Sequence, residues 1–230
     1  MSTRSAQKAK ARKILARLRA LYPHAECELN HASPLQLAVG AILSAQCTDK
    51  RVNQVTPALF RKYRTARDWA ETPQEVLEEE IRSTGFFRNK AKNIRALGRA
   101  LDERHGGALP DDFDALVRLP GIGRKTANLL MVTAFGRPGI IVDTHCKRVS
   151  KRLGLTDHTD PEKVEWDLRA IVPETDWGDW SHCMVFHGRY CCFARTPNCD
   201  ACPLPSLCPH VGTLRRNGSR SGSARDRNRA

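Results

Sequence analysis

Cys192, Cys199, Cys202 and Cys208 are separated by six, two and five residues and interleaved with Pro197, Pro203 and Pro205. Four thiolates in so short and loop-rich a stretch can converge on one metal centre, an arrangement an apolar core does not call for. The basic start, MSTRSAQKAKARK, is not followed by an apolar segment, so no secretory leader is expected and a disulfide framework is disfavoured. Tetrahedral zinc and a 4Fe–4S cluster both suit four cysteines, and spacing alone leaves that choice open. Cys191, directly before the first of the four, is expected to point elsewhere. Cys27, Cys47, Cys146 and Cys183 are read as buried small hydrophobes.

A second stretch with chemistry in it is Leu119-Pro120-Gly121-Ile122-Gly123, between a short helix expected over 111–119 and another starting at Arg124. Two glycines one residue apart let the backbone turn tightly and bring N–H groups against another molecule with no Cβ in the way. The following helix adds unpaired N–H donors and the positive end of its dipole. The arrangement suits a phosphate, with Leu119, Gly121, Ile122 and Gly123 as candidate contacts, although an ordinary helix–helix turn has the same Pro-Gly-x-Gly. Lys125 stands in the first turn of that helix beside Arg124, where a cation opposes the dipole. The position disfavours a proton on the amine, and a partly neutral lysine is a nucleophile; as an ordinary cation it would be a phosphate contact. Asp143 follows the apolar connector Gly139-Ile140-Ile141-Val142 and is expected to cap a helix opening with Thr144 and His145. Capping fixes its carboxylate, which is expected to face Lys125. His145 is a candidate contact to a nucleotide or phosphate, or a structural helix-start histidine.

The elements that must position these residues are helical. Apolar spacing follows the helical period and no run alternates as a strand does, so the fold class is all-α. Ile14, Leu15, Leu18 and Leu21 share one face of a first helix that is otherwise rich in Lys and Arg. Pro34 followed by LQLAVGAILSA predicts a Pro-initiated, buried helix. Thr48 and Asp49 cap a segment running to Tyr63 with a bend at Pro57. Thr72-Pro73-Gln74-Glu75 reads as a capping box starting a helix that ends near Gly85. Further helices are expected from Asn89 to about His105, and from Thr144, Pro161 and Asp179.

The run LPGIGRKTANLLMVTAFGRPGIIVDTHCKRV, together with LSAQCTDKRVN, TGFFRNKAKNI and HGRY before the cysteines, resembles the endonuclease III group of helix-hairpin-helix DNA base-excision glycosylases. The similarity extends from about Leu35 to Cys208. It implies a helix-hairpin-helix glycosylase fold of two helical domains with a DNA-binding cleft between them. Residues 1–26 would be a basic helix packing with the cluster domain, 27–137 the domain containing the hairpin, 138–210 the cluster domain and 211–230 a disordered basic tail. It implies one 4Fe–4S cluster on the four cysteines, since six-two-five is that group's spacing, shaping a basic loop to which Arg189 and Arg195 contribute. A base inside a duplex must be extruded before its glycosidic bond can be attacked. The resemblance puts Gln46 in the gap that remains and Phe86, where the group's leucine is expected, as a wedge in the opposite strand. Cys47 and Cys146 are further departures from that group's pattern.

By the same resemblance Lys125 attacks C1′ of the flipped deoxyribose, Asp143 assists proton transfer and stabilises positive charge on the sugar, and β-elimination then cuts the strand. The expected enzyme is a bifunctional glycosylase and abasic-site lyase acting as a monomer on oxidised pyrimidines, such as thymine glycol, in double-stranded DNA of the bacterial cytoplasm. A monofunctional mismatch glycosylase would lack the lysine. A non-catalytic hairpin module would not need Asp143, and an electron-transfer protein would not need the basic body.

Length and charge bound these readings. The 230 residues, 40% of them hydrophobic, suffice for one large domain or two small ones. No run approaches the roughly 18 apolar residues of a membrane span. The net charge is +13. The first thirteen residues hold +5 of it, and the last twenty, six arginines against one aspartate, hold another +5. A polyanionic partner is the reading this favours.

Overall fold

The computed structural model describes residues 4–211. Among them are eleven α-helices and no strand, and no helix is long and apolar enough to cross a membrane. The chain divides into two compact units, residues 27–139 and, separately, the described residues through Glu26 together with those from Ile140 onward. Most of the segment expected to be a basic tail lies outside the described residues.

Helix α1 (Arg4–Leu21) buries Ala11, Ile14, Leu15 and Leu18. Leu21, expected on the same face, is instead 44% exposed. It is the last helical residue, and Tyr22 takes the inward place, its ring edge-on to Phe186 at 6.0 Å.

The unit of residues 27–139 begins with α2 (Pro34–Leu43), where Ser33 accepts from the Gln36 N–H and every residue from Leu37 to Leu43 is buried. Helix α3 (Asp49–Lys62) is capped by Thr48 and continues through Pro57. Helix α4 (Ala66–Glu71) was not anticipated, although its capping box, Thr65 with Asp68, is written in the sequence. The box expected at Thr72 does not form. Thr72 is buried with its hydroxyl against the Tyr63 hydroxyl at 3.1 Å, so α5 (Gln74–Ile81) starts after Pro73 without a side-chain cap. That helix stops at Ile81, and a single 3₁₀ turn, Arg82–Thr84, leads to Gly85. Helix α6 (Phe87–Arg104) starts two residues before the expected Asn89, α7 (Phe113–Val117) is shorter than expected and capped by Asp112, and α8 (Arg124–Thr133) starts where the glycines end. Trp69, Leu37, Leu77, Ile94, Leu97 and Leu116 are fully buried here, each stabilising the unit by about 1.5–3 kcal/mol relative to an exposed position.

In the second unit Asp143 and Asp160 cap α9 (Thr144–Arg152) and α10 (Pro161–Ile171). Helix α11 (Trp177–Tyr190) begins two residues before the expected Asp179, because the Trp177 indole N–H donates to Val172 O at 3.0 Å and anchors the turn there. Helices α1, α9, α10 and α11 share a core of Ile14, Leu18, Val149, Leu168, Trp180 and Met184. Arg19 bridges Asp176 and Asp179 at 2.7 and 2.6 Å, fastening α1 to the start of α11.

Candidate active site and metal centre

The hairpin is built from the inside. Gly121 has φ +76°, and a Cβ there would meet Asn93 Cβ and Ile42 Cδ1, each at 3.0 Å, so conformation and packing both demand glycine. Leu119 and Ile122 are buried at 6% and 3% exposure and pin the turn to the core. Whatever this turn contacts, those two residues offer backbone rather than side chain. The Ile122 N–H is used internally, donating to Leu119 O at 3.1 Å. Helix α8 then opens from Gly123, whose lack of a side chain leaves the helix start without an N-cap side-chain bond. Lys125, in its first turn, is exposed.

Asp143, in the other unit, caps α9 as expected: Oδ1 accepts from the Cys146 N–H at 2.7 Å. It is half-buried, and capping uses only one of its oxygens. The connector ahead of it is buried over Ile140, Ile141 and Val142 and tied by the Ile141 N–H donating to Ser181 Oγ at 2.9 Å. His145, two residues on, lies against Gly188 of α11, where a Cβ would come within 2.6 Å of His145 Cβ. Arg148 Nη2 donates to His145 Nδ1 at 3.2 Å. A guanidinium has no acceptor, so Nδ1 must accept and the neutral ring carries its proton on Nε2. The same guanidinium group donates to Gly188 O at 2.8 Å and to Cys192 O at 3.1 Å. Arg148 thereby joins the catalytic-candidate helix to the cysteine loop, a role that its sequence position does not signal.

Gln46 and Phe86 both lie in the unit of residues 27–139, each in a turn. Both are exposed, Phe86 at 63%. Among the described residues they are also the two non-glycine residues with positive φ, at 51° and 48°, a conformation that side chains rarely adopt and that concentrates at functional positions.

Cys192, Cys199, Cys202 and Cys208 line one small cavity with His187, Cys191 and Arg152. Cys191, expected to point elsewhere, is in this cavity too: ligand atoms of His187, Cys191 and Cys202 lie mutually within 4.8 Å. Its thiol donates to Asn198 O at 3.4 Å, and burial, followed by neighbouring Cys202, pushes it up to about 12. Burial foremost raises Cys199 and Cys202 as well; Cys192 and Cys208 add to it at both, against the Leu204 N–H and Cys191 hydrogen bonds at Cys202. Such mutual repulsion among thiolates is what a bound cation removes. Donors also face the sulfurs, Arg152 Nη1 at 3.2 Å from Cys192 Sγ and the Leu204 N–H at 3.4 Å from Cys202 Sγ. The residues present therefore fit a metal centre. Of the other cysteines, Cys146 and Cys183 are buried while Cys27 and Cys47 are only half-buried. Arg195 is exposed on the cysteine loop, and Arg189 is half-buried and already engaged.

Residues 39–174 match the family model of the HhH-GPD superfamily of base excision DNA repair proteins. The all-helical fold and the glycine hairpin before α8 thus define a base-excision-repair protein of that class. The endonuclease III of Synechocystis sp. is 50% identical over 206 residues, 89% of this chain and 94% of the relative. That of Bacillus subtilis is 51% identical over 189 residues, 82% and 86% of the two chains. A solved structure described as a trapped endonuclease III–DNA covalent intermediate in an estranged-adenine complex is 47% identical, with a TM-score of 0.87 over 91% of this chain and 99% of that one. The chain belongs to the endonuclease III family. It is a base-excision-repair DNA glycosylase with abasic-site lyase activity.

Proposed function

We propose that Lys125 is the nucleophile of this reaction and Asp143 its acid–base partner, acting on double-stranded DNA that carries an oxidised pyrimidine of the thymine glycol type or an abasic site. The carrying observation is an exposed lysine in the first turn of α8, after a glycine N-cap that supplies no side-chain bond. A phosphate drawn to that helix start is held by N–H groups and brings a sugar to the amine. The Lys125 nitrogen bonds to C1′ as the glycosidic bond breaks, and the base departs with the bond's electron pair and takes up a proton. Asp143, fixed by its capping bond, stabilises the positive charge developing on the sugar and moves protons in the steps that follow. The lysine nitrogen gives up a proton, the C1′–O4′ bond opens with O4′ taking one up, and the resulting Schiff base makes the C2′ proton acidic; its loss expels the 3′ phosphate. Gln46 and Phe86 fill and wedge the gap left by the extruded nucleotide. The hairpin backbone from Leu119 to Gly123, His145, Arg189 and Arg195 hold the DNA backbone.

Cys192, Cys199, Cys202 and Cys208 would hold one 4Fe–4S cluster. Its contribution is to shape the loop carrying Arg195, with no part in bond breaking. Iron and sulfide analysis of the purified protein should give about four of each per chain; stoichiometric zinc would overturn this assignment.

Borohydride reduces the Schiff base and freezes a covalent adduct. The natural chain should be trapped on duplexes containing thymine glycol or an abasic site, and Lys125→Gln on neither. An adduct that persists in Lys125→Gln sinks the nucleophile assignment. Trapping on the abasic site without thymine glycol removes the lesion assignment but keeps the lyase.

A further inference from the structure

The turn that carries Phe86 is strained and has little holding it from outside. Gly85 has φ 69° and ψ 161°, open only to glycine, and Phe86 follows at φ 48° and ψ 27°. A left-handed phenylalanine costs about 1–3 kcal/mol and persists only where its surroundings impose it. The phenyl ring does not impose it, being 63% exposed, and no side chain caps the helix that Phe86 precedes. The constraint comes from beneath. Lys90, in the first turn of α6, is 3% exposed, and its Nζ donates to Thr84 O at 2.8 Å. Thr84 is 2% exposed and its hydroxyl donates to Ile81 O at 2.8 Å, so the carbonyl that Lys90 grips is itself fixed to the end of α5. A methionine of similar length would fill the same space without the cost of desolvating an ammonium. The ammonium also opposes the dipole at the start of α6. Burial accordingly holds the Lys90 amine below the usual lysine range.

We propose that Lys90 is a positioning residue whose buried ammonium, strapped to Thr84 O, holds the turn in the shape that presents Phe86 to the strand opposite the lesion. The proposal rests on the wedge reading of Phe86 and specifies how the chain sustains it. Without the strap, the turn relaxes toward ordinary backbone angles and the phenyl ring loses its direction. The chemistry at the sugar should be untouched, since the bond Lys90 makes is to Thr84 O within its own turn.

The test compares Lys90→Met with the natural chain on two abasic substrates, one in a duplex and one in a single strand that has no opposite strand to wedge. Single-turnover cleavage of the duplex should fall tenfold or more while the single strand is cut as before. Equal losses on both substrates, or an undiminished duplex rate, would overturn the proposal. In Phe86→Ala, Lys90→Met should add no further loss on the duplex; additive losses would show that Lys90 does not act through Phe86. Fluorescence of 2-aminopurine opposite the site, measured in Lys125→Gln, reads unstacking without any chemistry, so a failure of the Lys125 reading is seen separately. Gly85→Ala guards against misfolding of the lysine variant, because a Cβ there meets nothing within 4 Å and alters only backbone preference. It should reproduce the duplex-selective loss, and full duplex activity in Gly85→Ala would overturn the proposal even if Lys90→Met fails to fold.

Discussion

Asp143 does two things that single substitutions can pull apart. Its Oδ1 accepts from the Cys146 N–H and starts α9, and its charge is assigned to the reaction. Asparagine retains a capping oxygen without the charge, whereas alanine removes both. Asp143→Asn should therefore melt close to the natural chain, and Asp143→Ala should lose about 0.5–2 kcal/mol, the usual range for a deleted N-cap. Both should lose about 10²–10⁴-fold in single-turnover rate if the carboxylate moves protons. An Asp143→Asn enzyme with natural turnover would leave this residue a cap and nothing more. At Gln46 and Phe86 the backbone carries the information, since a solvent-facing side chain in the left-handed region is a poor choice for stability alone. Phe86→Gly should relieve that strain, leaving the melting temperature unchanged or raised while duplex excision falls; a duplex rate equal to the natural one would deny the wedge.

The elements show which parts of the structure are written locally and which are not. Ser33, Asp112, Asp143 and Asp160 each cap the helix that follows by a bond to a residue three positions on, so these helix starts could be read from the sequence. The Thr72 box had the same local grammar and failed because Tyr63, nine positions away, claims the hydroxyl. The lysine in the first turn of α8, the Asp143 cap of α9 and the gathering of Cys192, Cys199, Cys202 and Cys208 around one cavity were legible through spacing and residue type. Arg148 and Lys90 were not, because they act by gripping the carbonyls of Gly188, Cys192 and Thr84, and every residue has a carbonyl. Gly188 belongs with them, needed because α11 runs directly against His145. A methyl group there would stand 2.6 Å from His145 Cβ, so Gly188→Ala must push α9 and α11 apart. Overpacking of this kind costs about 1–3 kcal/mol. In a chain of this length that is a fall in Tm of roughly 2–4 °C per kcal/mol, readable by calorimetry, with DNA affinity falling as His145 and Arg148 shift. An unchanged Tm would mean the two helices part without penalty.

At the scale of the whole molecule the question is where the charge acts. Residues 212–230 contain six arginines and one aspartate, and removing them takes the formal charge from +13 to +8. The described residues end at Val211, which with His210 lines the cysteine cavity, so a chain ending there keeps that lining intact. Each neutralised phosphate contributes about 0.9 to the slope of log affinity against log salt. Truncation after Val211 should therefore flatten that slope by up to about 5, with affinity for undamaged duplex falling most at low salt. Lys125, Asp143 and the hairpin are all retained, and at saturating enzyme the single-turnover rate on a lesion duplex should stay within about twofold, since electrostatic affinity made equally to ground and transition states does not change it. A parallel collapse of that rate would place the terminal arginines in the chemistry, and an unchanged salt slope would mean that DNA never meets them. The first thirteen residues, +5 as well, make the contrast: their helix α1 buries Ile14 and Leu18 in the core around Trp180, so deleting it should unfold its unit instead of tuning affinity.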